Sequence, residues 1–308
     1  MGAYEVDIQE DGVPTPPRRT RRPKKHLSTA QILLYTLIAA LVCVILVFAA
    51  IYASGLRYIK LNTEIGGYVK FFGTVDSTGN PFKGDLYYSD GTTAKVDMLN
   101  HKVTFSNGDT YTGTLNASLR MEGTGKLEYS TGDVYEGAFE NGVISGNGVF
   151  RYANGDVYEG GFLNGGKNGQ GVYKWFDGST YTGEFSDDKK NGNGVYIWSD
   201  GSSYTGEYVN ELKEGTGTYR FANGDVYSGE FKADARTGQG TYTWANGDEY
   251  IGTFEDNEMN GTGTYRFASG RTFEGRFENG VLVRDLGNNT DDNTAPDSFG
   301  DANAAANG

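Results

Sequence analysis

One phrase constrains this chain more than any other: a tyrosine, any residue, a glycine, any residue and an aromatic, returning every 23 residues. It stands at Tyr135, Tyr158, Tyr181, Tyr204, Tyr227 and Tyr250, with Phe273 in the tyrosine slot of the last copy. A Gly-x-Gly pair keeps the same beat, beginning at Gly123, Gly146, Gly169, Gly192, Gly215, Gly238 and Gly261, twelve residues ahead of its aromatic. Seven units follow in strict register, preceded by a weaker copy, "FSNGDTYTGTL" from Phe105, and a more eroded one, "GDLYYSDGTT" from Gly84. A period of this size with one worn end marks a stacked-repeat array and its terminal cap.

Each unit translates into backbone. In "GQGTYTWANGDEYIGTFEDNEMN", Gly238 to Asn260, residues Gly240, Tyr242 and Trp244 alternate before a turn, and Tyr250, Gly252 and Phe254 alternate after it. Period two on both sides predicts strands, and the intervening Asn and Gly, both tolerant of positive φ, predict a hairpin. Gly252, between Tyr250 and Phe254, reads as a position where a side chain would obstruct a neighbour's ring. An isolated hairpin is marginal in water, so stability must come from stacking one on the next. The 47 glycines, about twice the usual share, and the 22 Tyr and 17 Phe fit that economy, whereas six prolines fit neither collagen nor a Pro-rich linker. The single cysteine, Cys43, leaves no internal disulfide and no cysteine zinc site.

The 23-residue period, the Tyr-x-Gly-x-Phe core, the G-x-G lead and the "NGD" turn together resemble MORN repeats, the membrane occupation and recognition nexus motif. The likeness covers Gly123 to Val281 and, more loosely, the chain from Gly84. Tyr208 replaces Phe in one unit, Phe273 replaces Tyr in the last, and Leu115 ends the weak copy. The resemblance implies an all-β fold: an elongated, single-layer, twisted antiparallel sheet solenoid of hairpin repeats, with a groove. At two strands per unit and about 4.8 Å per strand, seven to eight units span on the order of 70 Å.

Ahead of the repeats, residues 27–56 carry no charge, and "ILLYTLIAALVCVILVFAAIYA" from Ile32 to Ala53 reaches about 33 Å as a helix against a hydrocarbon core of ~30 Å. The apolar run is longer than a cleavable leader's and lacks a small-x-small exit, which reads as an uncleaved signal anchor. Arg18, Arg19, Arg21, Arg22, Lys24 and Lys25 precede it while only Arg57 and Lys60 follow closely, placing the N-terminus in the cytoplasm and those six side chains near anionic headgroups. The expected organisation is a disordered basic tail (1–30), a transmembrane helix (31–55), a juxtamembrane segment (56–83) and degenerate repeats forming a cap (84–122). Seven repeats (123–284) and a disordered polar tail (285–308) complete it, in a single-pass protein of the plasma membrane with the repeats outside. Beyond residue 31 stand 21 basic against 36 acidic residues, a net charge of −15, which repels nucleic acid and bare anionic lipid.

Chemistry is sparse. The two histidines, His26 and His101, lie outside the clean repeats, so neither a histidine triad nor a zinc cage is expected there. Asp133, Asp156, Asp225 and Asp248 recur at one turn position and read as turn residues; the nine-residue beat of a calcium β-roll is absent. No predicted helix follows any G-x-G to bind phosphate. The family also occurs fused to lipid-kinase domains, but the segments flanking the repeats are too short for one. A non-enzyme without metal or cofactor is expected.

Two functional classes remain. The favoured one is a membrane-anchored scaffold binding proteins, or itself, through groove aromatics and open sheet edges. The alternative is a surface glycan or envelope-polymer module in which Trp175, Trp198 and Trp244 stack on sugars. Those three share a slot that elsewhere holds Tyr129, Tyr152, Phe221 or Phe267, which reads as size tolerance in a core. Lipid binding ranks third because of the acidic charge. The final strand of the last repeat is expected to be an uncovered edge, with Phe273 and Phe277 as anchors for a second copy or a partner's strand. For topology, protease added to intact cells or opened vesicles should digest Leu61 to Gly308 and spare the segment before Gln31; protection of the repeats on the cytoplasmic side contradicts the assignment.

Overall fold

The computed structural model describes residues 28–63 and 66–286, in two units that divide at Gly55. The first contains one helix, Thr29–Ala53. Ser28 caps it reciprocally: its hydroxyl accepts from the Gln31 N–H while the Gln31 carboxamide accepts from the Ser28 N–H. The helix is apolar all round, and among the described residues it buries none of its own. At 25 residues it is about 37 Å long, enough by length and composition to cross a bilayer. The basic cluster Arg18 to Lys25 and the tail from Gly287 lie outside the described residues.

The second unit is one antiparallel sheet, in which 21 strands among the described residues each pair with the next in sequence. It begins earlier than the repeat pattern. Leu56–Asn62 pairs in full register with Tyr68–Val75, which pairs with Pro81–Tyr88, so the segment expected to be a juxtamembrane connection is itself sheet. Val69, Phe71, Leu86, Val96 and Val103 fill its core where later strands use tyrosine. Twenty-one strands at about 4.8 Å give a contour near 100 Å, longer than the repeats alone imply.

Register explains the glycines. Gly183 lies opposite Gly194, Gly194 opposite Gly206, and Gly206 opposite Gly217, so one row of glycine crosses the sheet. The tyrosine two residues earlier lays its ring over that row. A Cβ on Gly183 would stand 2.5 Å from the Tyr181 hydroxyl, and one on Gly194 2.4 Å from Tyr181 Cε2. Just beyond Gly183 the pairing slips by a bulge. There the Tyr181 hydroxyl donates to the Glu184 carbonyl at 3.1 Å, as Tyr158 does to Gly161 at 3.0 Å and Tyr250 to Thr253 at 3.1 Å.

The phenylalanine four residues after each tyrosine joins the repeats. Phe185 meets Tyr181 of its own unit and Tyr158 of the unit before, both edge to face at 5.1 Å, and the file runs unbroken from Tyr111 to Phe277. Each such pair contributes about 0.5–1.5 kcal/mol beyond area burial.

Two turns alternate. In the "NGD" turn only the glycine takes positive φ, as at Gly247 (φ 90), while the Asn246 side chain accepts from the Asp248 N–H at 2.9 Å. The expectation that Asn would share the left-handed conformation is corrected: it acts through its side chain. Between units the strands reverse through two residues both at positive φ, such as Asn210 (50) and Glu211 (80), or Asp256 (47) and Asn257 (72). These are tight hairpin turns matched to strand twist.

The C-terminal edge also differs from expectation. Val281–Asp285 forms a further strand on Thr272–Glu278, so the last repeat is covered and the edge lies one strand later. Replacing Gly194 with alanine forces a methyl into the Tyr181 ring and should cost about 3 kcal/mol. Gly165→Ala, at φ 91 with nothing within 4 Å, should cost only about 1 kcal/mol for its backbone conformation. Denaturant titration of the two variants checks the order; equal losses contradict ring packing as the reason for Gly194.

Candidate functional site

Beside the buried file runs a second line of rings. Tyr129, Phe150, Tyr152, Tyr173, Trp175, Tyr196, Trp198, Tyr219 and Phe221 follow one another, tilted, at centroid distances of 4.4–5.9 Å. All nine are only partly buried. Five of them, Tyr129, Tyr152, Trp175, Trp198 and Phe221, occupy the slot of the tryptophans; the other four come from the neighbouring column that faces the next strand, as Tyr196 faces Tyr204. The stripe continues through Tyr242, Trp244 and Tyr265 to Phe267, but there the first three rings are buried.

Facing the stripe is a ladder of cations one repeat apart: Lys167, Lys190, Lys213 and Arg236. Each arises at the start of a strand just after a tight turn and reaches back over aromatic faces. The Lys213 ammonium lies 5.2 Å from the centre of Tyr219 and 5.6 Å from that of Trp198, and the Arg236 guanidinium 5.4 Å from Tyr242. The next unit's turn supplies the counter-charge: Lys167 pairs with Asp188 at 3.2 Å, Lys190 with Glu211 at 3.3 Å and Lys213 with Asp234 at 3.9 Å. Burial pushes the Lys213 ammonium below its usual value, and Asp234 pulls it back only in part. Arg236, at the fourth rung, donates to the Asn257 carbonyl at 2.7 Å.

Stripe, ladder and turns enclose a groove. Within it a cavity of about 470 Å³ is lined by Trp198, Tyr219 and Phe221 together with Glu211, Lys213, Asp234 and Arg236. Among the described residues no group of three or more His, Cys, Asp or Glu is placed to hold a metal ion.

The groove wall is held by the turn aspartates. One Asp156 oxygen accepts from the Phe176 N–H of the next unit at 2.8 Å; the other accepts from the Tyr173 hydroxyl at 2.8 Å and the Asn154 amide at 3.0 Å. Asp225 and Asp248 repeat the arrangement on Ala245 with Tyr242, and on Ala268 with Tyr265. Where the unit has serine instead, Ser179 accepts from the Ser199 N–H. The recurrent aspartate therefore does more than shape its own turn: it ties one hairpin to the next and orients the stripe's tyrosines.

The sequence-derived candidates separate accordingly. Trp175 and Trp198 are half-buried in the stripe, and Trp198 lines the cavity; Trp244 is buried. Phe273 and Phe277 are corrected: both are buried, at 3% and 0% exposure, Phe277 against Tyr250, and neither offers a surface anchor. The added strand Val281–Asp285 is what covers them. The cation ladder and the second aromatic column escaped the sequence reading, although both keep the 23-residue beat and could have been found by aligning every column of the repeat.

A family model described as MORN repeat matches six consecutive stretches, 135–157, 158–180, 181–203, 204–226, 227–249 and 250–270. The match begins at the tyrosine of each unit and leaves out the flanking copies. No curated protein matches the chain. Among solved structures, the TCP domain of SAS-4 (dCPAP) from Drosophila melanogaster, in complex with a proline-rich motif of Ana2 (dSTIL), is 14% identical over 56% of this chain and 90% of that one, at a TM-score of 0.32. A streptogramin B lyase is 14% identical over 73% and 69%, and a virginiamycin B lyase from Staphylococcus aureus with quinupristin 10% over 71% and 87%, each at 0.14. Likeness at that level carries no argument about this chain.

The staples make stability depend on acid. Burial opposes ionisation of Asp156, yet the donors from Phe176, Tyr173 and Asn154 outweigh it and hold its carboxyl below the ordinary 3.8; the same balance holds Asp248 low. A depressed carboxyl contributes stability that is complete above the unfolded value and lost as pH falls through the folded one. The denaturant midpoint should therefore fall as pH drops below about 4, and Asp156→Ala should cost roughly 1.5–3 kcal/mol at neutral pH while flattening that dependence. A midpoint that stays level in acid contradicts the role.

Proposed function

We propose that this chain, whose residues 135–270 are six consecutive MORN repeats, is a non-enzymatic single-pass membrane protein that works as a scaffold: its repeat sheet holds partner proteins at the membrane. The observation that carries this reading is the partly buried aromatic stripe from Tyr129 to Phe221, set in a groove and lined by ordered charge. Half-buried aromatic rings beside ordered charged groups are the composition of protein-binding hot spots, and water-excluded pockets are where such rings count most. The helix Thr29–Ala53 supports the membrane half: it is apolar on every side and buries nothing within its own unit. In this reading the six basic residues ahead of the helix, Arg18 to Lys25, keep the N-terminus in the cytoplasm and put the repeats outside, at the plasma membrane.

A glycan platform is less favoured by the same rings. A sugar stacks on an open aromatic face, whereas Trp198 is flanked by Tyr196 at 4.4 Å and Tyr219 at 5.2 Å, and Trp175 by Tyr173 at 4.5 Å and Tyr196 at 4.9 Å. Lipid binding is disfavoured by the net charge of −15 beyond residue 31.

The experiment is proximity labelling in the native cell from a ligase fused after Gly308, comparing the wild-type chain with Trp198→Ala. A defined set of proteins should be labelled by the wild type and lost or strongly reduced with the variant, at equal expression and membrane content. An unchanged set removes the groove as the binding site.

A further inference from the structure

The groove is a ruler, and its spacing selects what can lie in it. It runs across the strands, so equivalent groups recur every two strands, about 9.6 Å apart. Trp175, Trp198 and Phe221 form one such series, Tyr173, Tyr196 and Tyr219 a second, and Asp188, Glu211 and Asp234 a third. A peptide that uses several repeats at once must present like groups at that interval. An α-helix has a pitch of about 5.4 Å and an extended strand returns to the same face every ~6.6–6.8 Å, so neither keeps step. A polyproline II helix rises about 3.1 Å per residue with three residues per turn, and so returns every ~9.3 Å. The mismatch is about 0.3 Å per repeat, or roughly 1 Å across three.

Charge selects further. The groove's lysines are nearly buried, with side chains 15–17% exposed, and each is already paired. Their carboxylate partners are the exposed half: Asp188 at 60%, Glu211 at 46% and Asp234 at 47%. A ligand therefore meets a row of carboxylates beside a row of rings, in a unit of negative net charge.

We propose that the groove from Tyr152 to Phe221 takes a basic, proline-rich segment of a partner protein in the polyproline II conformation. Its prolines lie against the open edges of the tilted rings, and a Lys or Arg at every third position faces Asp188, Glu211 and Asp234. The pyrrolidine ring brings apolar surface without rotamer entropy, and the helix is preformed with its backbone groups directed to water, so little ordering cost opposes binding. This rests on the reading of the groove as a partner site and names the partner's chemistry.

The test uses the full chain in nanodiscs of zwitterionic lipid and a fluorescent peptide of repeating Pro-Pro-Arg, about twelve residues and ~37 Å long. Anisotropy should report saturable binding that weakens with salt. Binding should fall by about tenfold or more in Trp198→Ala, as expected for a central aromatic anchor. It should also fall in the combined variant Asp188→Asn, Glu211→Gln, Asp234→Asn, which keeps the fold because an amide oxygen can accept the same backbone N–H. Asn257 already does so for Arg236 at 2.9 Å. A Pro-Pro-Glu peptide and a Gly-Ser-Arg peptide of equal length should bind at least about tenfold more weakly, since each lacks one of the two selecting features. Absence of saturable binding, equal binding of either control peptide, or indifference to both variants overturns the proposal. Loss of native partners with Trp198→Ala while the Pro-Pro-Arg peptide fails to bind would leave the scaffold reading standing and remove this ligand class.

Discussion

The structure depends on a tyrosine ring laid flat over two glycines, one on its own strand and one across the hydrogen-bonded pair. Tyr181 over Gly183 and Gly194 is one instance, and Tyr250 over Gly252 and Gly263 another. The ring can lie there only because neither glycine carries a Cβ, and once there it places its hydroxyl on a carbonyl that the bulge has taken out of the ladder. One contact thus accounts for the glycine row, the bulge and the fixed distance between tyrosine and phenylalanine in every unit. A substitution at any of the three disturbs the others.

From that contact follows the division of the aromatic surface. The phenylalanine turns edge-on between two successive tyrosines, so the inner file is closed and serves cohesion between units. A single sheet has no second layer to cover the outer file, and its rings stay only partly buried from Tyr129 to Phe221. Exposed apolar surface of this continuity is uncommon in a soluble monomer unless something binds it. The cations of the ladder reduce its exposure in part, and Arg236 lies over Tyr242, which is buried; one repeat further on, where Met259 holds the ladder position, Trp244 and Tyr265 are buried as well.

The two turns divide the work of spacing the groove. The tight turns, with both central residues at positive φ, carry the carboxylates on one wall. The "NGD" turns carry the aspartate staples that fix the other wall and the tyrosines on it. Since each staple spans about one repeat, the groove keeps its period only while successive hairpins remain joined.

What the chain shows by itself is its period and its strands. The 23-residue beat, the two strands per unit, the glycine that must lack a side chain and the uncharged helix before them are all legible, because each depends on neighbours a few residues away. The tertiary structure decided the rest. Leu56–Asn62 and Tyr68–Val75 join the sheet without the motif, because Val69 and Phe71 supply apolar volume that needs no tyrosine signature. Phe277 is core because Val281–Asp285 folds back beside it, in a strand too short and too irregular to announce itself. Lys167, Lys190 and Lys213 keep the beat in plain view, yet only the stacking of hairpins sets each against rings and a carboxylate 21 residues further on. Hydrophobic alternation is a property of one strand, whereas a groove is a property of several, and it exists only once the repeats are packed against each other.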